Sequence, residues 1–202
     1  LTSGGYARLQ SDSCVFVKKD LPAGKYSMVF VHVDDLFHVY SDDESNDQLC
    51  AILRERFQSI NHETGDHLQY LGLTIDIDRD ARSISLGAPG YVGDLLAEAN
   101  TQGRAATPAT DELFTQKEDA EPADKKLFAS KLMKLMYLAT RIRPDILQAV
   151  TVLATRMHAC TTHDMKQMDR VYKYVNATKD QKLIIAPDTL DFKVYLDASH
   201  AT

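Results

Sequence analysis

Apolar residues crowd positions 26–33, where Met28, Val29, Phe30, Val31 and Val33 make the nearly unbroken run of a buried strand. Asp34-Asp35 interrupts the run and Leu36-Phe37-His38-Val39-Tyr40 resumes it, which predicts a β-hairpin with two carboxylates at its tip. Polar residues 41–47 then start a helix whose apolar face is Leu49, Ile52, Leu53 and Phe57. Residues 67–78 predict a strand with Leu71, Leu73, Ile75 and Ile77 on one face, turning at 79–82 and returning at 83–86. Gly72 falls inside that strand, where the missing side chain lets another backbone approach. Residues 89–100 read as a short helix with Tyr91, Leu95, Leu96 and Ala99 inward.

The pattern changes at residue 101. Residues 101–122 are polar, carry Pro108 and Pro122, and predict a linker or long exposed loop. Three helices follow. Leu127, Leu132, Leu135, Met136 and Ala139 mark the first. Pro144, suited to a first helical position, opens the second through Ile146, Val150, Leu153 and Met157. Thr161 or Thr162 caps the third, which buries Met165, Met168, Tyr172 and Val175. A last strand, 192–196, runs into Asp197. The expected class is α+β: an antiparallel sheet with helices over 1–104, a linker over 105–122, a helical subdomain over 123–182, and the start of a further strand unit over 183–202.

Composition narrows the function classes. The chain has 202 residues and is 44% hydrophobic, enough for a core in one or two small domains. No run of about 18 apolar residues occurs, so no membrane span is expected. Cys14, Cys50 and Cys160 are far apart and lack CxxC spacing, which argues against a zinc site or a disulfide scaffold. Asn176-Ala177-Thr178 fits a glycosylation sequon, a triplet that also arises easily by chance. No glycine-rich phosphate loop or HExxH pair is present.

The net charge of −6 hides an asymmetry that changes the picture. Residues 123–182 carry twelve Lys/Arg against five Asp, a net of +7, whereas residues 1–122 carry ten against twenty-one acids, a net of −11. One segment is basic and the other acidic; from charge alone ordinary solvated helix faces are the simpler reading, with a polyanion-binding segment as the other.

Adjacent Asp residues at a hairpin tip are ordinary turn formers. Beside a buried strand, however, two like charges are costly unless a cation neutralises them. Magnesium is bound through one or two carboxylates together with substrate phosphates, and Asp34-Asp35 offers that donor set. In two-metal phosphoryl transfer such a pair holds the ions that activate the attacking hydroxyl and clamp the leaving oxygen.

His32-Val33-Asp34-Asp35 resembles the Tyr-Val-Asp-Asp box of reverse transcriptases. Four further segments, in order, are similar to the copia-type retrotransposon branch of that family: Tyr70-Leu71-Gly72-Leu73; Tyr137 through the Arg141-Ile142-Arg143-Pro144-Asp145-Ile146 run; Asp169-Arg170-Val171-Tyr172-Lys173-Tyr174-Val175; and Leu196-Asp197-Ala198-Ser199. The resemblance covers nearly the whole chain. It implies a partial polymerase palm followed by a helical thumb and the opening strand of a ribonuclease H domain. Asp34 and Asp35 are then the catalytic metal ligands, for Mg2+ with Mn2+ able to substitute. Leu71, Gly72 and Leu73 are expected near the primer terminus, Lys131, Lys134, Arg141 and Arg143 on the template–primer backbone, and Asp197 as the first ribonuclease H carboxylate. The implied partners are an RNA–DNA template–primer, a dNTP, and the fingers and remaining palm of the same polyprotein. The implied location is the cytoplasm, in a virus-like particle, or the nucleus. His32 departs from the usual tyrosine, and the third carboxylate of the family belongs to an earlier strand. This chain alone is therefore expected to be inactive, and a non-catalytic, domesticated binding or structural module is the alternative.

Overall fold

The computed structural model describes residues 1–115, 117, 120–189, 191, 193 and 194. The architecture is α+β, with two antiparallel sheets and five α-helices. The chain divides into two compact units, Leu1–Leu71 and Gly72–Thr202.

The first unit is a meander. Strands β1 (Tyr6–Arg8), β2 (Val15–Lys18), β3 (Ser27–His32) and β4 (Asp35–Tyr40) pair antiparallel in chain order. Helix α1 (Asp43–Arg56) starts where the Asp42 carboxylate accepts from the Ser45 N–H at 3.1 Å, satisfying one of the orphan donors of its first turn. Its Leu49 packs on Tyr6, Phe16 and Val29, with Ile52 and Leu53 at the margin. Phe57, expected on this face, is the residue after the last turn and is 56% exposed, because the chain leaves helical geometry there. Strands β1 and β2 had no expectation from the sequence: each is three or four residues long, too short for a period to register. Strand β5 (His67–Tyr70) closes the unit.

Leu71 and Gly72 do not lie within a strand. Both have positive φ, 50° and 78°, and form the turn between β5 and β6 (Leu73–Asp78). Apolar alternation runs through the turn unbroken, so periodicity alone joined two strands into one.

In the second unit β6 pairs with β7 (Ser83–Gly87), which pairs with β8 (Leu183–Ile185), both antiparallel. Helices α2 (Pro89–Glu98), α3 (Lys125–Arg141), α4 (Leu147–Thr155) and α5 (Thr162–Ala177) complete it. Val92 and Leu95 of α2 share one core with Phe128, Leu132, Leu135 and Leu138 of α3, Val150 and Leu153 of α4, and Met168, Val171 and Val175 of α5. Leu73 and Leu86 pack against the same core. That shared burial is why the division falls at Leu71, earlier than the boundary at 104 expected from the sequence. Leu127, expected inward, is 46% exposed at the first turn of α3. The start of α5 is capped at Thr161, one of the two threonines the sequence offered, which forms a reciprocal capping box with Asp164; α3 is capped by Asp124, which accepts from the N–H groups of Lys126 and Leu127. Among the described residues no helix is long and apolar enough to cross a membrane. The expected strand 192–196 and Asp197 lie mostly or wholly outside the described residues.

Residues 101–115 are not a free linker. Asn176 donates to the Gly103 carbonyl at 2.9 Å, the Ala105 N–H donates to the Lys173 carbonyl at 3.3 Å, and Arg170 donates to Thr107 Oγ1 at 3.0 Å. Leu113 is 1% exposed in the helical core. Polar composition alone could not reveal this, because the tethers run to side chains and backbone more than 60 residues away in sequence.

Candidate active site hairpin

The β3–β4 ladder pairs Ser27 with Tyr40 at one end and His32 with Asp35 at the other. Val33 and Asp34 are therefore the two loop residues of a tight hairpin. Val33 has φ 56° and is 87% exposed. Two-residue hairpin loops with a positive φ at the first position match the twist of the flanking strands, and glycine normally takes that position. A β-branched residue there costs about 1–2 kcal/mol, offset by the six paired positions of the ladder. The sequence carries a Val-Asp pair where turn chemistry alone would select Gly or Asn, so local turn propensity does not account for the residues at this tip.

Asp34 and Asp35 are both exposed. This corrects the expectation of like charges buried beside an apolar strand: β3 is interior to the sheet, but the tip projects past it and water screens both carboxylates. Among the described residues no group of three or more His, Cys, Asp or Glu comes together to hold a metal ion. The hairpin thus offers two adjacent carboxylates with hard oxygen donors, a set that fits a magnesium ion also held by ligand phosphates and that makes a weak site without them.

Tyr70 joins this surface. Its ring stacks on Phe37 of β4 at 5.1 Å, and burial followed by the negative charge of Asp35 pushes its hydroxyl pKa up. An aromatic group beside the carboxylate pair was missed by the residue-type search, since Tyr70 lies 35 positions downstream of Asp35.

Beneath the tip, the hairpin is fixed by a polar chain on the face that α1 covers. Tyr6 Oη meets Ser27 Oγ at 2.8 Å, Ser27 Oγ meets His38 Nε2 at 2.8 Å, and His38 Nδ1 meets Asn46 Oδ1 at 3.2 Å. Ser27 is fully buried. Burial lowers the pKa of His38 against the opposing effect of its Asn46 bond, and the charge of His62 lowers it further. The chain links β1, β3, β4 and α1, so hairpin orientation depends on a neutral imidazole.

The basic residues expected on nucleic acid are placed differently from one another. Arg141 is exposed, its guanidinium 5.6 Å from the centre of the Tyr137 ring. Lys131 is half-buried with its ammonium 5.9 Å from the Tyr172 ring, and Lys134 forms an ion pair with Glu98. Arg143 is 2% exposed and does not face solvent. It forks onto both oxygens of Asp145 at 2.9 and 2.7 Å and donates to the carbonyl and hydroxyl of Thr178 at 3.1 and 2.7 Å. Burial raises the pKa of Asp145, but the Arg143 hydrogen bonds, with the Tyr174 hydroxyl, outweigh it and hold the carboxyl below its usual range. Arg143 is therefore a structural clasp between the end of α3 and the end of α5, a role its sequence position before Pro144 could not distinguish from an exposed contact.

No family model matches the chain, and no solved structure matches it. Its sequence is 30% identical over its whole length to the retrovirus-related Pol polyprotein from transposon RE2 of Arabidopsis thaliana. It is 30% identical over 98% of its length to the corresponding polyprotein from transposon RE1 of the same plant, and 24% identical over its whole length to that from transposon TNT 1-94 of Nicotiana tabacum. The chain spans only 13–16% of the length of these relatives. The similarity is thus to one segment of a retrotransposon Pol polyprotein.

Proposed function

We propose that the chain is the part of a copia-type reverse transcriptase that carries the Asp-Asp hairpin and the helical thumb. The observation that carries this reading is the strained tip: Val33 at φ 56° holds Asp34 and Asp35 adjacent, exposed and in fixed register. Similarity to Pol polyproteins along the chain supports the same reading. Asp34 and Asp35 are the residues that would hold magnesium, which when bound neutralises phosphate charge and lowers the pKa of the attacking hydroxyl. The rigid ladder and the Tyr6–Ser27–His38–Asn46 chain keep the two carboxylates oriented, so little reorganisation accompanies metal and substrate binding. Leu71, Gly72 and Leu73 border the approach to the primer end, while Lys131 and Arg141 contact the template–primer backbone; Lys134 is paired with Glu98. Arg143 is withdrawn from that set.

Manganese titration followed by paramagnetic broadening in NMR tests the hairpin directly. Binding is expected with a Kd of about 1 mM, selective for the signals of 32–36, and lost in Asp34→Asn/Asp35→Asn. Equal broadening in the double variant overturns the metal site and favours the non-catalytic module.

A further inference from the structure

We propose that Cys50, Asn46 and His62 form a binding site for Zn2+ at the buried face of α1. Asn46 and Cys50 lie four positions apart on that helix, so their side chains are neighbours on one face, and both are buried. His62 belongs to the chain that follows α1, is exposed, and places Nε2 against both. That nitrogen is 3.7 Å from Cys50 Sγ and 3.4 Å from Asn46 Nδ2.

As hydrogen bonds these contacts are long, and they compete. A neutral imidazole has one ring lone pair to offer, so Nε2 cannot accept from the amide and the thiol together. As edges of a coordination shell the same distances fit. With Zn–S of about 2.3 Å and Zn–N and Zn–O of about 2.0–2.1 Å, tetrahedral angles set sulfur and nitrogen about 3.6 Å apart and nitrogen and oxygen about 3.4 Å apart. Turning the Asn46 amide over places Oδ1 where Nδ2 stands. The set is then one thiolate, one imidazole and one amide oxygen, with the fourth position open to water on the exposed side of His62. Thiolate and imidazole together select zinc over magnesium, and Cys50 releases its proton to solvent as it binds. Only two of the three ligands are Cys or His, and the spacing of Cys50 and His62 matches no CxxC or HExxH pattern, so neither residue type nor sequence pattern marks the site.

The site touches the polar chain beneath the hairpin. Asn46 Oδ1 accepts from His38 Nδ1 at 3.2 Å, and His38 Nε2 meets Ser27 Oγ at 2.8 Å. With the amide turned, Asn46 Nδ2 donates to His38 Nδ1, and the neutral ring carries its proton on Nε2, facing Ser27. Zinc binding therefore exchanges the His38 tautomer without charging the ring, and it ties the segment after α1 to the helix. The inference rests on the sheet unit and on neither carboxylate of the hairpin tip.

The test is titration of the whole chain with Co2+, whose bond to a thiolate gives a charge-transfer band in the near ultraviolet. One equivalent should develop the band, Zn2+ should bleach it, and Mg2+ in about hundredfold excess should leave it unchanged. Asp34→Asn/Asp35→Asn should keep the band, which separates this site from the carboxylate pair. Cys50→Ser should abolish it, whereas Cys14→Ser, at an exposed thiol elsewhere, should not. His62→Ala removes an exposed ligand and should weaken Co2+ binding at least about tenfold with an unchanged circular dichroism spectrum. Nitrogen NMR of the zinc-loaded chain should show the His38 proton on Nε2. The proposal is overturned by a band that is absent, that survives Cys50→Ser or that is lost in Cys14→Ser. It is equally overturned by unaltered affinity in His62→Ala, or by a His38 ring that keeps its proton on Nδ1 with zinc bound.

Discussion

The two units reach a fixed structure by different means. In the helical unit nineteen buried apolar residues form one core fed by β6, β7 and all four helices. In the sheet unit the core is four buried residues, Tyr6, Phe16, Val29 and Leu49, with a line of side-chain hydrogen bonds running from Tyr6 through Ser27 and His38 to Asn46. A large apolar core tolerates loss of any one polar contact but not a cavity. A small core threaded by a polar chain has the opposite sensitivity, since each donor in it needs its acceptor. The unit with the smaller core carries the strained, exposed hairpin, and its orientation is held by directional bonds instead of bulk packing.

The largest expected effect separates the units through packing. Leu135→Ala removes a fully buried side chain at the centre of the helical core and should cost about 2–5 kcal/mol. Amide exchange read per residue should accelerate across α3, α4 and α5. If α1 and β1–β4 lose protection to the same degree, the division of the chain into two units is wrong.

A smaller loss should appear in the sheet unit when the polar chain is cut. Ser27→Ala leaves Tyr6 Oη and His38 Nε2 without their shared partner, an expected cost of about 1–3 kcal/mol. The same chain makes stability depend on pH. The folded state lowers the pKa of His38, so it favours the neutral ring and binds fewer protons than the unfolded chain. The contribution is complete above the unfolded value of about 6.5 and is lost as pH falls through the lower folded value. Melts between pH 7.5 and 5 should show a decline confined to the sheet unit that His38→Gln flattens. A decline of equal slope in the variant removes His38 from the account.

The smallest effect has the opposite sign. Val33→Gly relieves the positive φ and should stabilise the hairpin by up to about 1 kcal/mol, offset in part by the greater freedom of glycine when unfolded. If the strain serves the tip, manganese affinity should fall even as stability rises. Unchanged affinity would mean that valine at 33 is incidental to the carboxylates.

Legibility in the sequence followed the range of the forces involved. The hairpin, α1, the β6–β7 return and the four later helices were readable because apolar period and capping residues act within a few positions, as at Thr161. The adjacent carboxylates were readable for the same reason. The turn at Leu71-Gly72 was hidden because its first residue is apolar and keeps the alternation intact.

What the sequence determined by itself is the set of local elements, the Asp34-Asp35 pair and the concentration of positive charge in residues 123–182. Tertiary structure alone decided how that charge is used. Arg143 is spent on Asp145 and Thr178, Lys134 on Glu98, and Arg156 on Asp164 at 2.8 Å, whereas Lys166 is exposed and has no acid partner among the described residues. A count of cations cannot make that distinction, because an ion pair depends on distances between residues that lie far apart in the chain and meet only when the core closes.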